Sequence, residues 1–214
     1  MSCTPPRGNR WWIAVACAAL FACGDGGGGG GGGETVLTGS LILPPANQCA
    51  GCTVANRTTS VLALSQNAAP RLITTITTDG QGGYVTPSLN NLLLGSRALI
   101  VVASVSQTAG LGGVESVSGG NNVKDFSVYT QIACQAAVFL TTGDAGNGTA
   151  CGAFATLDPS LVDDTRIRNL EQAANLIADR VNLSTDVARA ACAVINCTFA
   201  GAAAASPECM AGAF

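Results

Sequence analysis

Short apolar runs fill the first part of the chain, and residues that favour turns separate them. Arg71–Thr78 alternates apolar and polar positions, as a half-buried strand does. Pro44-Pro45 and the glycine-rich stretch Asp79–Gly83 are typical of the connections between strands. The pattern predicts strands at 36–43, 60–65, 71–78, 84–86 and 98–105, which together form an antiparallel β-sandwich domain over residues 36–118.

The spacing of apolar residues then changes to three or four positions, which is the period of one helix face. Helices are predicted to begin near Asp125, at Asp158-Pro159 and at Ser184, and the second keeps Ile167 and Val181 on one face. Residues 119–205 are therefore predicted to form a helical segment of about three helices, followed by a flexible tail at 206–214. The predicted fold class is α+β, a β-sandwich followed by this small helical segment.

The amino terminus has the pattern of an export signal. Arg7 and Arg10 precede a continuous apolar run from Trp11 to Ala22, which is shorter than the ~20 residues that a membrane-spanning helix needs. The predicted signal peptide therefore covers residues 1–22. Eight consecutive glycines follow at Gly26–Gly33. Because glycine is the costliest residue to order, residues 23–35 are predicted to form a flexible tether.

The apolar run ends in the residues Leu20-Phe21-Ala22-Cys23. This ending resembles the lipobox of bacterial lipoproteins, in which cleavage exposes a cysteine that carries a diacylglyceryl group. The resemblance implies lipidation at Cys23 and a membrane partner through that lipid. It also implies the cell envelope as the location, with Gly24 favouring the outer membrane. The alternative is an ordinary cleaved signal in which Cys23 carries no lipid.

A second resemblance lies in the predicted strands. Gly39 in the first strand, Thr78-Asp79, Gly83-Tyr84 and a terminal apolar strand resemble the carboxypeptidase regulatory-like domain, a transthyretin-like β-sandwich of the immunoglobulin class. The resemblance covers residues 36–105. It implies a structural or adhesion-like module that has no catalytic residues of its own, so it predicts no peptidase activity.

The composition narrows the chemistry further. The chain contains no histidine and a single lysine, Lys124. Histidine is the commonest general base and metal ligand, so catalytic triads that need it and mixed cysteine–histidine zinc sites are excluded. The net charge is −3, and it becomes −5 once Arg7 and Arg10 leave with the signal. No basic stripe remains, which argues against nucleic-acid binding, and the sequence predicts no cofactor and no metal.

Ten cysteines are present, and seven remain once Cys3, Cys17 and the lipidated Cys23 are set aside. Thiols outside the cytoplasm tend to oxidise, so a disulfide set is expected. Proximity in the sequence predicts the pairs Cys49–Cys52, Cys134–Cys151 and Cys192–Cys197, and it leaves Cys209 over. The sequence does not fix the connectivity, so Cys209 stays open as an alternative partner. Each bridge over so short a loop is expected to add a few kcal/mol of stability.

Two enzymatic alternatives stay open. A carboxylate-based hydrolase needs two positioned acids, and Asp79, Asp163 and Asp164 are the suggestive ones, although a turn and a helix start also explain them. Cys49-Ala-Gly-Cys52 would suit a thiol–disulfide oxidoreductase, but no helix pattern follows it to stabilise a thiolate. The sequence favours a noncatalytic binding or scaffolding body, with an envelope protein or a polysaccharide as the partner to expect.

Overall fold

The fold is a mixture of strands and helices, seen in a computed structural model that describes residues 34–64, 70–90, 98–116, 121–142 and 164–199. The strands in these ranges are β1 (Val36–Ser40), β2 (Thr58–Ala63), β3 (Arg71–Thr77), β4 (Gly83–Val85), β5 (Ala98–Ser104), β6 (Gly110–Ser116) and β7 (Asn121–Val123). The helices are α1 (Val128–Thr142), α2 (Asp164–Asn175), a short 3₁₀-helix (Ala178–Arg180) and α3 (Val187–Phe199). The predicted α+β class is confirmed.

The described strands form two sheets. The first has three strands in the order β4-β1-β7, and the second has four in the order β3-β2-β5-β6. Neighbouring strands are antiparallel except for β1 and β7, which run parallel, with Thr38 opposite Val123. The five strands predicted from the sequence correspond to β1 through β5. The parallel pair departs from the purely antiparallel arrangement that the pattern predicts.

Strand β6 is absent from the sequence prediction because glycines occupy its centre. A Cβ atom on Gly112 would lie 2.3 Å from the carbonyl oxygen of Val101, and one on Gly113 would lie 2.4 Å from the ring of Phe126. The hydroxyl of Thr130 donates a 2.8 Å hydrogen bond to the Gly112 carbonyl. The two glycines weaken the strand pattern locally, yet they allow an aromatic ring and a neighbouring strand to approach the β6 backbone closely.

The second predicted helix ends earlier than its apolar pattern suggests. Helix α2 stops at Asn175, and the backbone N–H groups of Leu176 and Ile177 donate to carbonyls three residues earlier. Such tighter turns are common at helix ends. Ile177 and Val181 remain buried, so the apolar pattern reports burial there although the backbone leaves the α-helical path.

Strands and helices contribute to one hydrophobic core within the described ranges. Leu37 and Val101 from the sheets and Ile132, Leu170 and Val194 from the three α-helices are all at most 1% exposed. Residues on both sides of the sequence boundary at 118 therefore pack into the same core. None of the helices in the described part of the chain has the length and apolarity that a membrane span needs.

Candidate functional site

The loop between β1 and β2 contains the predicted Cys49–Cys52 disulfide, which is present in the structure with its Cα atoms 5.6 Å apart. The chain turns here because the N–H groups of Gln48 and Cys49 both donate to the carbonyl of Pro45. Gly51 has a φ of +70°, a backbone conformation that glycine adopts at no steric cost. The disulfide closes this turn on itself, and no helix begins at it.

A shallow depression of about 610 Å³ opens beside this loop. Its wall combines the disulfide turn, one arginine and the turn between β5 and β6, and the lining residues are Ala50, Gly51, Arg57, Ser104, Ser106, Gln107 and Thr108. Among the described residues, no acidic side chain and no cysteine belongs to this wall. The lining is polar and carries one positive charge.

Arg57 is held in place through its backbone and its side chain. Its N–H donates to the hydroxyl of Thr78 at 2.8 Å, and its carbonyl accepts from the Thr78 N–H at 3.0 Å. The Nε atom donates to the carbonyl of Thr53 at 3.0 Å, which aligns the half-buried side chain with the disulfide loop. Within the described ranges Arg57 forms no salt bridge, so its two Nη groups have no carboxylate partner.

The opposite wall is the turn that joins β5 to β6. The Ser106 hydroxyl accepts from the N–H groups of Thr108 (3.2 Å) and Ala109 (3.0 Å), while the Ser104 hydroxyl donates to the Ser106 carbonyl at 2.8 Å. The Thr53 N–H donates to the Val105 carbonyl at 2.9 Å and joins this turn to the disulfide loop. A main-chain hydrogen bond therefore fixes the two walls to each other.

The predicted Cys134–Cys151 disulfide is not formed. Cys134 is a free, buried thiol on α1, so the predicted pairing with Cys151 is wrong. Helix α1 turns the side chain into the core, where burial raises the pKa of Cys134 to about 12, and the carboxylate of Glu171 acts in the same direction. A thiol held in its protonated form is not a nucleophile at neutral pH, so Cys134 behaves as a small core residue.

The predicted pairing of Cys192 with Cys197 is also not formed. Both are disulfide-bonded, and both lie on α3. Five residues of helix separate them by about 7.5 Å along the axis, and their directions diverge, whereas bridged cysteines have Cα atoms within about 7 Å. The predicted bond between these two residues is wrong because α3 is one continuous helix, and each of them bonds to another cysteine. Cys23, Cys151 and Cys209 lie outside the described residues.

Asp79, the candidate acid whose side chain the structure describes, does not line the depression. Asp79 accepts hydrogen bonds from the N–H groups of Gln81 and Gly83, both at 2.8 Å, and closes the turn before β4. These bonds hold the pKa of Asp79 below its usual range. Asp164 is the first residue of α2, and Asp163 lies outside the described residues. Asp79 therefore has the role of a turn residue.

Sequence reasoning missed a half-buried ion cluster around the single lysine. The Nζ atom of Lys124 lies 2.7 Å from a carboxylate oxygen of Glu171 on α2 and 3.2 Å from one of Glu115 on β6. Burial acts to lower the pKa of Lys124, but the two carboxylates outweigh it and raise the pKa. The cluster joins a helix to a sheet edge, and no local pattern could reveal it because its members lie far apart in the chain.

Among the described residues no cluster of cysteine or acidic side chains could hold a metal ion. No protein-family model matches this chain, and no curated protein matches it either. The candidate site thus rests on its own geometry, which is a polar depression with one oriented guanidinium.

Proposed function

We propose that this chain is a lipid-anchored protein of the bacterial cell envelope, exported by residues 1–22, attached through Cys23 and carrying a noncatalytic binding body. The amino terminus supports the anchor, because a basic segment, a short apolar run and a Leu-Phe-Ala-Cys ending occur in the order that lipoprotein processing requires. The glycine tract that follows gives the reach that a tethered body needs.

One observation supports binding in preference to catalysis. The depression beside the disulfide loop is lined by Arg57 and by uncharged, mostly polar residues, so the described residues offer hydrogen-bond donors there without a paired acid and base. General acid–base catalysis needs a group that exchanges a proton near neutral pH, and a guanidinium does not do so. A fixed arginine in a polar wall is instead suited to hold a ligand.

We further propose that the two sheets form a transthyretin-like sandwich of the carboxypeptidase regulatory-like type. Three positions that carry the resemblance have distinct structural roles that support it. Gly39 leaves room for the backbone at Lys124, Asp79 closes the turn before β4, and Tyr84 lies against Phe126 in the core. A crystal structure of the chain tests this by the order and packing of its strands.

The anchor is tested by intact mass spectrometry of the protein from the membrane fraction of a Gram-negative host. We expect a chain that begins at Cys23 and carries acyl groups, recovered with outer-membrane vesicles. The Cys23→Ala variant is the control, and it should keep its signal peptide or appear as a soluble chain. A wild-type chain in the membrane fraction with no added lipid mass would refute the anchor.

A further inference from the structure

We propose that the depression beside the Cys49–Cys52 loop binds the carboxylate of an acidic saccharide, with the Arg57 guanidinium as the charge that recognises it. This inference deepens the proposed binding role and rests on it. The argument depends on the partners of Arg57, on the other donors in the wall and on the polarity of the lining.

A hydrogen bond orients the Arg57 guanidinium, and no described carboxylate neutralises its charge. Its Nε atom is committed to the Thr53 carbonyl, while its Nη groups have no carboxylate partner among the described residues. The paired cations differ in this respect, since Lys124 contacts two carboxylates and Arg189 contacts Asp186 at 3.4 Å. A fork of two donors matches the two oxygens of one carboxylate, so Arg57 has the geometry for a single planar anion.

Further donors lie in the same wall. The backbone N–H groups of Ala50 and Gly51 donate to no described acceptor, and both residues are exposed where the disulfide turn meets the depression. A Cβ atom on Gly51 would meet no described atom within 4 Å, so the described residues leave space in front of this turn. The exposed carboxamide of Gln107 stands on the other wall. These donors belong to residues that line the depression, and they favour an anion over a cation.

The lining of the depression also indicates which kind of molecule the carboxylate belongs to. Apart from Ala50, no described residue adds an apolar side chain to the wall, which contains the hydroxyl and amide groups of Ser104, Ser106, Gln107 and Thr108. An acyl chain or an apolar peptide side chain would find little surface to bury there. A sugar ring can exchange hydrogen bonds with such a lining, and its carboxylate can pair with Arg57. One arginine matches one negative charge, which favours a uronic acid over a phosphate of higher charge.

The charge of the exported protein limits where an anion can bind. Without Arg7 and Arg10 the chain carries a net charge of −5, so a polyanion is repelled by most of the surface and attracted near a cation that has no carboxylate partner. Binding is therefore expected to be local, salt-dependent and dependent on Arg57.

The test is calorimetric titration of the lipidated protein, which begins at Cys23, in detergent with trigalacturonic acid. Neutral galactotriose, inorganic phosphate and a short acidic peptide are the comparison ligands. We expect saturable binding of trigalacturonic acid alone, and loss of about tenfold or more in affinity for Arg57→Gln, since a hydrogen bond to a charged group contributes about 1.5–3 kcal/mol. Arg168→Gln is the matched control, because Arg168 is an exposed arginine on α2, and it should bind as the wild type does.

A second readout uses the wild-type chain and does not depend on a variant that folds. Phenylglyoxal modifies arginine side chains, and mass spectrometry of peptides gives the rate at each one. Trigalacturonic acid should slow modification of Arg57 and leave that of Arg168 unchanged. The proposal is overturned if trigalacturonic acid fails to bind, if it protects both arginines equally, or if phosphate or the peptide binds in its place. None of these outcomes alters the mass of the lipidated amino terminus, so the anchor stands or falls separately.

Discussion

The phenol of Tyr84 on β4 donates a 2.7 Å hydrogen bond to the backbone carbonyl of Lys124, forty residues further along the chain. The Tyr84 ring also stacks on Phe126, with ring centroids 5.3 Å apart and planes inclined by 10°. Burial raises the pKa of Tyr84, with Asp125 and Glu115 acting in the same direction, so the phenol stays a donor. One side chain thus ties a strand to the segment that leads into α1.

Replacing Tyr84 by phenylalanine should remove this hydrogen bond and preserve the ring stack. We expect the free energy of unfolding to fall by about 1–2 kcal/mol, because the Lys124 carbonyl loses its partner in a region largely closed to water. Urea denaturation followed by circular dichroism measures the change. Tyr129→Phe is the control, since Tyr129 is partly buried on α1 and its hydroxyl forms no hydrogen bond with another described residue. An equal loss in both variants would contradict the assigned role.

Gly39→Ala tests why the first strand carries a glycine. A Cβ atom at this position would lie 1.8 Å from the Lys124 carbonyl oxygen and 3.0 Å from the Tyr84 hydroxyl. Because backbone would have to move, we expect a loss of about 2 kcal/mol or more in the free energy of unfolding. Gly80→Ala is the matched control, because no atom lies within 4 Å of its Cβ position, and it should be close to neutral. Thermal melts of the two variants decide the point.

Asp79→Asn should change how stability depends on pH. The folded state lowers the pKa of Asp79, so its stabilising contribution is complete above the unfolded value of about 3.9 and is lost as the pH falls through the lower folded value. Between pH 5 and pH 2 the melting temperature of the variant should fall less steeply than that of the wild type, because one carboxylate no longer takes up a proton on unfolding. If melting temperature changes with pH equally in the two proteins, ionisation of Asp79 does not contribute to the pH dependence of stability.

Cysteine mapping tests the revised disulfide assignment. Iodoacetamide should leave the folded, unreduced protein unmodified at Cys134, because this thiol is buried and protonated. Unfolding in guanidinium without reductant should then expose Cys134 to alkylation. After thermolysin cleavage of the Ala-Val-Ile-Asn stretch between them, peptide mass mapping should find Cys192 and Cys197 on separate crosslinked peptides. A direct Cys192–Cys197 bond would contradict the continuous helix α3.

The two disulfide corrections have a common physical origin. Proximity along the chain made Cys192 and Cys197 look like partners, but a helix places residues five apart on diverging sides and too far apart along its axis. Cys134 looked available for Cys151, but the apolar period of α1 turns it toward the core. The Cys49–Cys52 pair was predictable because a turn brings two cysteines three residues apart together without help from the rest of the fold.

Local sequence determined the elements whose signals are local. Alternation and turn residues marked β1 through β5, a three-to-four residue period marked the helices, and the order of charge, apolarity and cysteine at the amino terminus marked the predicted anchor. Only the tertiary structure decided the parallel pairing of β1 with β7, the glycine-centred strand β6 and the Lys124 ion cluster. It also decided the position of the Arg57 side chain beside the depression. Each of these depends on residues far apart in the chain that pack or pair in space. A pattern read over one stretch of sequence contains no information about which distant stretch will cover it.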